Sequence, residues 1–68
     1  MPESCTALID KLIEERHRKG LTQKDLAQAT SLTQSVIARF ESKKNTPQLD
    51  TILKIASALG LSLTLISE

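Results

Sequence analysis

The 68-residue chain has no tryptophan, no tyrosine and one phenylalanine, Phe40, so its core must be built from aliphatic side chains. Cys5 is the only cysteine, which excludes an intrachain disulfide. One cysteine and one histidine, His17, give no clustered ligands at metal spacing. The two glycines, Gly20 and Gly60, are too few and too scattered for a loop that cradles phosphate, and no nucleophile has a recognisable base beside it. Enzyme chemistry, a cofactor and a metal are therefore not expected. Signal peptide, transit peptide and long apolar run are all lacking, so a membrane partner is not expected and the expected location is the cytoplasm. Such a length implies one domain, residues 1–68, with a core that leaves little margin of stability. Leucine, isoleucine and alanine supply most of the 40% hydrophobic residues, a composition that favours helices packed on helices.

The stretch from Leu21 to Glu41, LTQKDLAQATSLTQSVIARFE, is the most strongly patterned part of the chain. Thr22 with Asp25 three residues later forms a near capping box, in which a side-chain oxygen accepts an orphan amide of the first helical turn. Leu21 and Leu26 stand at the two ends of a hydrophobic staple, and Leu32 and Ile37 repeat it around Thr33. Two helix starts are thereby specified, with Thr30 and Ser31, both weak helix formers, in the short turn between them. Leu26, Ala27, Ile37 and Phe40 are inward positions, and the small Ala27 lets the two helices approach at a steep angle. The pattern is a helix-turn-helix.

With Gln23, Ala27, Leu32, Ile37, Phe40 and Glu41 at its pattern positions, the segment resembles the phage-repressor-like (Cro, XRE) family over about residues 7–60. The resemblance implies an all-α, lambda-repressor-like DNA-binding domain of four to five short helices. The family usually has glycine where this chain has Ser31, and commonly where it has Lys43. A left-handed serine costs on the order of 1 kcal/mol, which is tolerable. The resemblance also sets Arg16 opposite Glu41 as an ion pair tying the first helix to the third.

Formal net charge is only +1, but it is unevenly spread. Residues 1–15 have Lys11 against Glu3, Asp10, Glu14 and Glu15, a net −3. Residues 16–44 have seven cations (Arg16, Arg18, Lys19, Lys24, Arg39, Lys43, Lys44) against Asp25 and Glu41, a net +5, and the remainder has Lys54 against Asp50 and Glu68. Positive charge thus coincides with the motif and its flanks, where phosphates would lie.

Before the motif, Met1 to Glu3 are expected to be frayed and a helix to start near Ser4 or Thr6. Leu8, Ile9, Leu12 and Ile13 form its apolar stripe, with Asp10, Lys11, Glu14 and Glu15 outside and Gly20 stopping it. His17 reads as a surface or phosphate-side residue. After the motif, Ser42 to Gln48 is a polar loop. A fourth helix follows from Leu49 to Leu59, with Leu49, Ile52, Leu53, Ala56 and Leu59 inward and Asp50, Lys54 and Ser57 outward. Gly60 ends it. The tail from Leu61 to Ile66 switches to a period of two, with Leu61, Leu63 and Leu65 on one face, as in a half-buried strand pairing across a dimer; a frayed tail or a fifth helix are the alternatives. The string LGLSLTL resembles the antitoxins of the HipB type.

Read as a DNA binder, the chain places its second motif helix, Thr33 to Ser42, in the major groove. Gln34, Ser35, Val36 and Arg39 are the candidate base readers, glutamine suiting adenine, valine a thymine methyl and arginine a guanine or a phosphate. Gln23, Thr33, Lys43, Lys44 and Asn45 are candidate phosphate contacts that set register. The resulting expectation is a sequence-specific repressor, homodimeric on a pseudo-palindromic operator in double-stranded DNA. By its resemblance to HipB it is the antitoxin of an autoregulated operon with a HipA-like kinase toxin as partner. A phage-type or general XRE regulator without a toxin and a protein-interaction module without DNA are the competing readings.

Overall fold

A computed structural model of the chain describes residues 3–67. Among these residues the elements are four helices: α1 Glu3–Arg18, α2 Gln23–Thr30, α3 Gln34–Glu41 and α4 Leu49–Ala58. The helix α2 lies in the middle, packed on α3 and α4, while α1 packs on α3. Helix α1 begins earlier than expected, because Glu3 adds a carboxylate at the positive helix end; the expected fraying of Met1 and Pro2 falls outside the described residues.

The motif's helix starts are built as the sequence requires. The Asp25 amide donates to Thr22 Oγ1 at 3.0 Å and the Thr22 amide to Asp25 Oδ2 at 2.8 Å, which completes the capping box. The backbone bond is what chiefly holds the Asp25 carboxyl below the usual range, assisted by the Thr22 side chain. Thr33 caps α3 alone, its Oγ1 accepting from the Val36 amide at 3.2 Å.

Every helix ends on a residue of positive φ: Gly20, Ser31, Lys43 and Gly60. Ser31 (φ 60°) and Lys43 (φ 60°) do so against the penalty a Cβ incurs. After α1, α2 and α4 the residue following this position donates directly across six residues, Leu21 to Arg16, Leu32 to Ala27 and Leu61 to Ala56. After α3 the Ser42 hydroxyl takes over that role. It donates to the Arg39 carbonyl at 2.7 Å and accepts from the Lys44 amide at 3.4 Å. Thr30 is buried, not merely a weak helix former: its hydroxyl donates to the carbonyls of Leu26 and Ala27 and so satisfies itself inside the turn.

The core consists of Ile9, Leu12, Leu26, Ala27, Ile37, Phe40, Ile55, Ala56 and Leu59, with Ile13, Leu21, Leu32, Ile52, Ala58 and Leu61 packed at its rim. Each of the larger side chains contributes about 1.5–3 kcal/mol by leaving water. Three expectations are corrected. Leu49 and Leu53 are not inward but 66% and 46% exposed, and Ile55 holds the buried place instead. The reason is that α4 meets chiefly α2, so a narrow stripe of Ile52, Ile55, Ala56 and Leu59 suffices. Glu15 is not outside but buried, where Arg18 hydrogen-bonds it. That bond holds the Glu15 carboxyl below its usual range against the opposing effect of desolvation. Finally, residues 61–67 form neither a strand nor a fifth helix. Leu61 packs on the core, but Leu63 is 40% exposed and Leu65 fully so, because an all-helical fold offers an extended segment no sheet edge.

Candidate nucleic-acid interface

The short helix α3 divides its side chains sharply. Ile37 and Phe40 are buried, and Gln34, Ser35, Val36, Ala38 and Arg39 are exposed. Ser35, Val36 and Arg39 share a stripe at helical spacing, and Gln34 stands at the N-terminal end, so all four candidate base readers face solvent. Val36 and Arg39 also form one wall of an open concavity of about 300 Å³, whose other wall is the loop Asn45–Gln48 and Thr51.

Rigidity comes from behind the helix. Arg16 Nε donates to Glu41 Oε2 at 2.7 Å and its Nη2 to Oε1 at 2.8 Å, both side chains being only 9% exposed. A third guanidinium nitrogen, Nη1, donates to the Leu21 carbonyl at 2.8 Å, and Nη2 lies 3.1 Å from His17 Nε2. The planar fork of arginine is what allows a bidentate pair and a backbone bond at once. Glu41 also accepts from Gln23 Nε2 at 3.1 Å, so α1, the start of α2 and the end of α3 meet at one carboxylate. Burial alone would raise the Glu41 carboxyl, but the hydrogen bonds from Arg16 and Gln23, with the charges of Arg16 and His17, outweigh it and hold the group below its usual range.

The candidate phosphate residues fare differently from one another. Lys44 and Asn45 are exposed in the loop after α3. Thr33 spends an acceptor lone pair on its cap and keeps its O–H for another partner. Gln23 has one amide hydrogen on Glu41 and a second remaining. Lys43 is not free: its Nζ lies 2.5 Å from Asp10 Oδ1 on α1. Nothing in the sequence marks that pair, since its members are far apart in the chain and lie on different elements. The Ser42 relay was equally hidden, although a serine at a helix end next to a non-glycine left-handed residue is a usable signal.

Two capped helices joined by a tight turn, the second presenting an exposed polar stripe, make this a helix-turn-helix domain. Residues 12–66 match the helix-turn-helix family, and the chain belongs to it, in the XRE-type branch. It is 40% identical over 60 residues to an uncharacterised HTH-type transcriptional regulator of Haemophilus influenzae, an alignment covering 88% of the chain and 61% of that protein. It is 42% identical over 62 residues to human endothelial differentiation-related factor 1, covering 90% of the chain and 42% of the relative. The chain thus spans less than two thirds of these curated relatives. A solved structure described as a toxin–antitoxin module from Streptococcus pneumoniae superposes with a TM-score of 0.79 at 42% identity, over 96% of this chain and 71% of that one. No helix among the described residues is long and apolar enough to cross a membrane.

Proposed function

We propose that the chain is a sequence-specific DNA-binding repressor acting as a homodimer. The observation that carries this reading is the stripe on α3: four side chains of base-reading chemistry are exposed while the helix beneath them is fixed by Ile37, Phe40 and the Arg16–Glu41 pair. Helix α3 enters the major groove with Gln34, Ser35, Val36 and Arg39 toward the base edges. Thr33, Lys44, Asn45 and the remaining N–H of Gln23 donate to phosphates on either side and set the register. Two copies on one face of the duplex require half-sites about 34–36 Å apart, hence a pseudo-palindromic operator. Leu49, Leu53, Leu63, Leu65 and Ile66 are the large exposed apolar side chains beyond α3, and a second copy would cover those of the tail, Leu63 and Leu65 beside Leu61.

Selection of bound duplexes from a random pool, followed by titration of the selected and a scrambled duplex across salt, tests the reading. A repressor binds the selected duplex more tightly by a factor on the order of 10³ or more, and both affinities fall steeply with salt. Equal affinity for both duplexes overturns sequence-specific binding, and no binding to either favours a protein-interaction module.

The likeness to a toxin–antitoxin module supports a second half of the job, in which the chain also holds a toxin and represses its own operon. A HipB-type antitoxin requires a serine/threonine kinase toxin of the HipA type encoded next to it. Co-expression with the neighbouring gene reads this directly: relief of growth arrest by this chain supports it, and an adjoining gene without toxicity removes it.

A further inference from the structure

Of the basic side chains near the motif, Lys43 differs from its neighbour in one respect. Lys44 has no carboxylate within ion-pair distance among the described residues, whereas the Lys43 ammonium sits on Asp10 at 2.5 Å. The backbone enforces this. A φ of 60° at Lys43, with its amide bonded to the Phe40 carbonyl at 3.3 Å and the Ser42 relay on either side of it, directs the side chain back across the end of α3 toward α1. Neither partner is deeply buried: the Lys43 side chain is 34% exposed and that of Asp10 52%. Such a pair is weak and open to exchange with any other anion.

We propose that Asp10 acts as an intramolecular competitor of the DNA backbone for Lys43. Its carboxylate shares the ammonium with any phosphate oxygen that approaches, so the domain makes this contact less fully than its cations allow. The proposal rests on the DNA-binding reading and adds to it a residue on α1, outside the motif, that sets the sequence-independent part of the affinity. Charge arithmetic gives the sense of the effect. Each phosphate contact contributes a slope of about 0.9 in the logarithm of affinity against that of salt concentration. Withholding one contact lowers the affinity for any duplex at low salt and changes little at high salt.

The test is an anisotropy titration of the full chain on a random-sequence duplex from about 50 mM to about 1 M salt, comparing wild type, Asp10→Asn, Lys43→Asn and the double variant. Asparagine is chosen at residue 43 because it tolerates a left-handed backbone, and circular dichroism confirms that each variant is folded. With Asp10→Asn the salt slope steepens by up to about 0.9 and affinity at 50 mM rises by up to about fivefold, the most that a partly exposed pair can withhold, with the gain vanishing toward 1 M. In the Lys43→Asn background Asp10→Asn changes the slope by nearly nothing, because the cation it would release is gone. An equal gain with and without Lys43 overturns the proposal in favour of general charge repulsion between Asp10 and DNA. An unchanged slope in Asp10→Asn overturns it as well. A wild-type chain that binds no duplex at 50 mM defeats the DNA-binding reading itself, an outcome distinct from both.

Discussion

Arg16 and Glu41 face each other across the interface of α1 and α3 with two nitrogen–oxygen distances of 2.7 and 2.8 Å, and 9% of each side chain is exposed. At this burial neither charge is affordable alone. Arg16→Ala or Glu41→Ala is expected to destabilise the domain by about 3–5 kcal/mol, whereas Arg16→Met with Glu41→Leu costs far less, since no charge is stranded. Denaturant unfolding of the four proteins gives the coupling energy, and a value near zero returns the pair to the surface.

The same carboxylate makes stability depend on pH. Glu41 titrates below its ordinary value of 4.5 in the folded chain, so in the interval between the two values the unfolded chain binds a proton that the folded chain does not. Its contribution is complete above that ordinary value and is lost as pH falls through the lower, folded one. Glu15 and Asp25 are shifted in the same direction and add to the slope. Glu41→Gln should therefore be less stable than wild type at neutral pH but lose less stability on acidification. Thermal melts at intervals from pH 7 downward test this, and parallel curves for the two proteins remove Glu41 from the linkage.

Gln34→Ala is expected to weaken binding to the selected operator by about 1–3 kcal/mol and to leave binding to random duplex nearly unchanged. Equal losses on both duplexes assign Gln34 to the backbone.

Ser31 holds a left-handed conformation at φ 60° that glycine adopts without penalty. Ser31→Gly relieves about 1–2 kcal/mol of strain and gives back part of it through the greater freedom of the unfolded chain. A net stabilisation of about 0.5–1 kcal/mol follows, read as a higher urea midpoint at unchanged slope. Destabilisation by the same substitution shows that the serine makes a contact worth more than the strain.

Removal of Leu63, Leu65 and Ile66 by truncation after Leu61 tests the dimer. Leu65 is 101% exposed and Ile66 86%, so the isolated domain loses little by their removal while a dimer loses its apolar contact. Sedimentation velocity should show monomers, with the thermal stability of the monomer unit lowered only by what the partly buried Leu63 contributes. A truncated chain that still dimerises moves the interface to Leu49 and Leu53 on α4.

Much of this architecture is local and was therefore legible without coordinates. Capping by Thr22 and Thr33, stapling by Leu21 with Leu26 and Leu32 with Ile37, and termination at Gly20 and Gly60 depend only on residues within one helical turn. The left-handed backbone at Ser31 and Lys43 and the Arg16–Glu41 pair were legible through resemblance, since the chain departs from the family at the first two and matches it at the last. Tertiary structure decided what depends on distant neighbours. Which face of α4 is buried follows from its contact with α2, and a hydrophobic period wide enough to admit Leu49 and Leu53 cannot choose among them and Ile55. A period of two in the tail describes which side chains share a face, but a strand exists only where another backbone accepts its hydrogen bonds, and four helices supply none. The pairing of Lys43 with Asp10 is likewise an outcome of how α1 lies on α3, because long polar side chains reach partners that chain spacing does not specify. Glu15 meets Arg18 one turn along the same helix, a spacing the sequence does show, and only its burial was decided by packing.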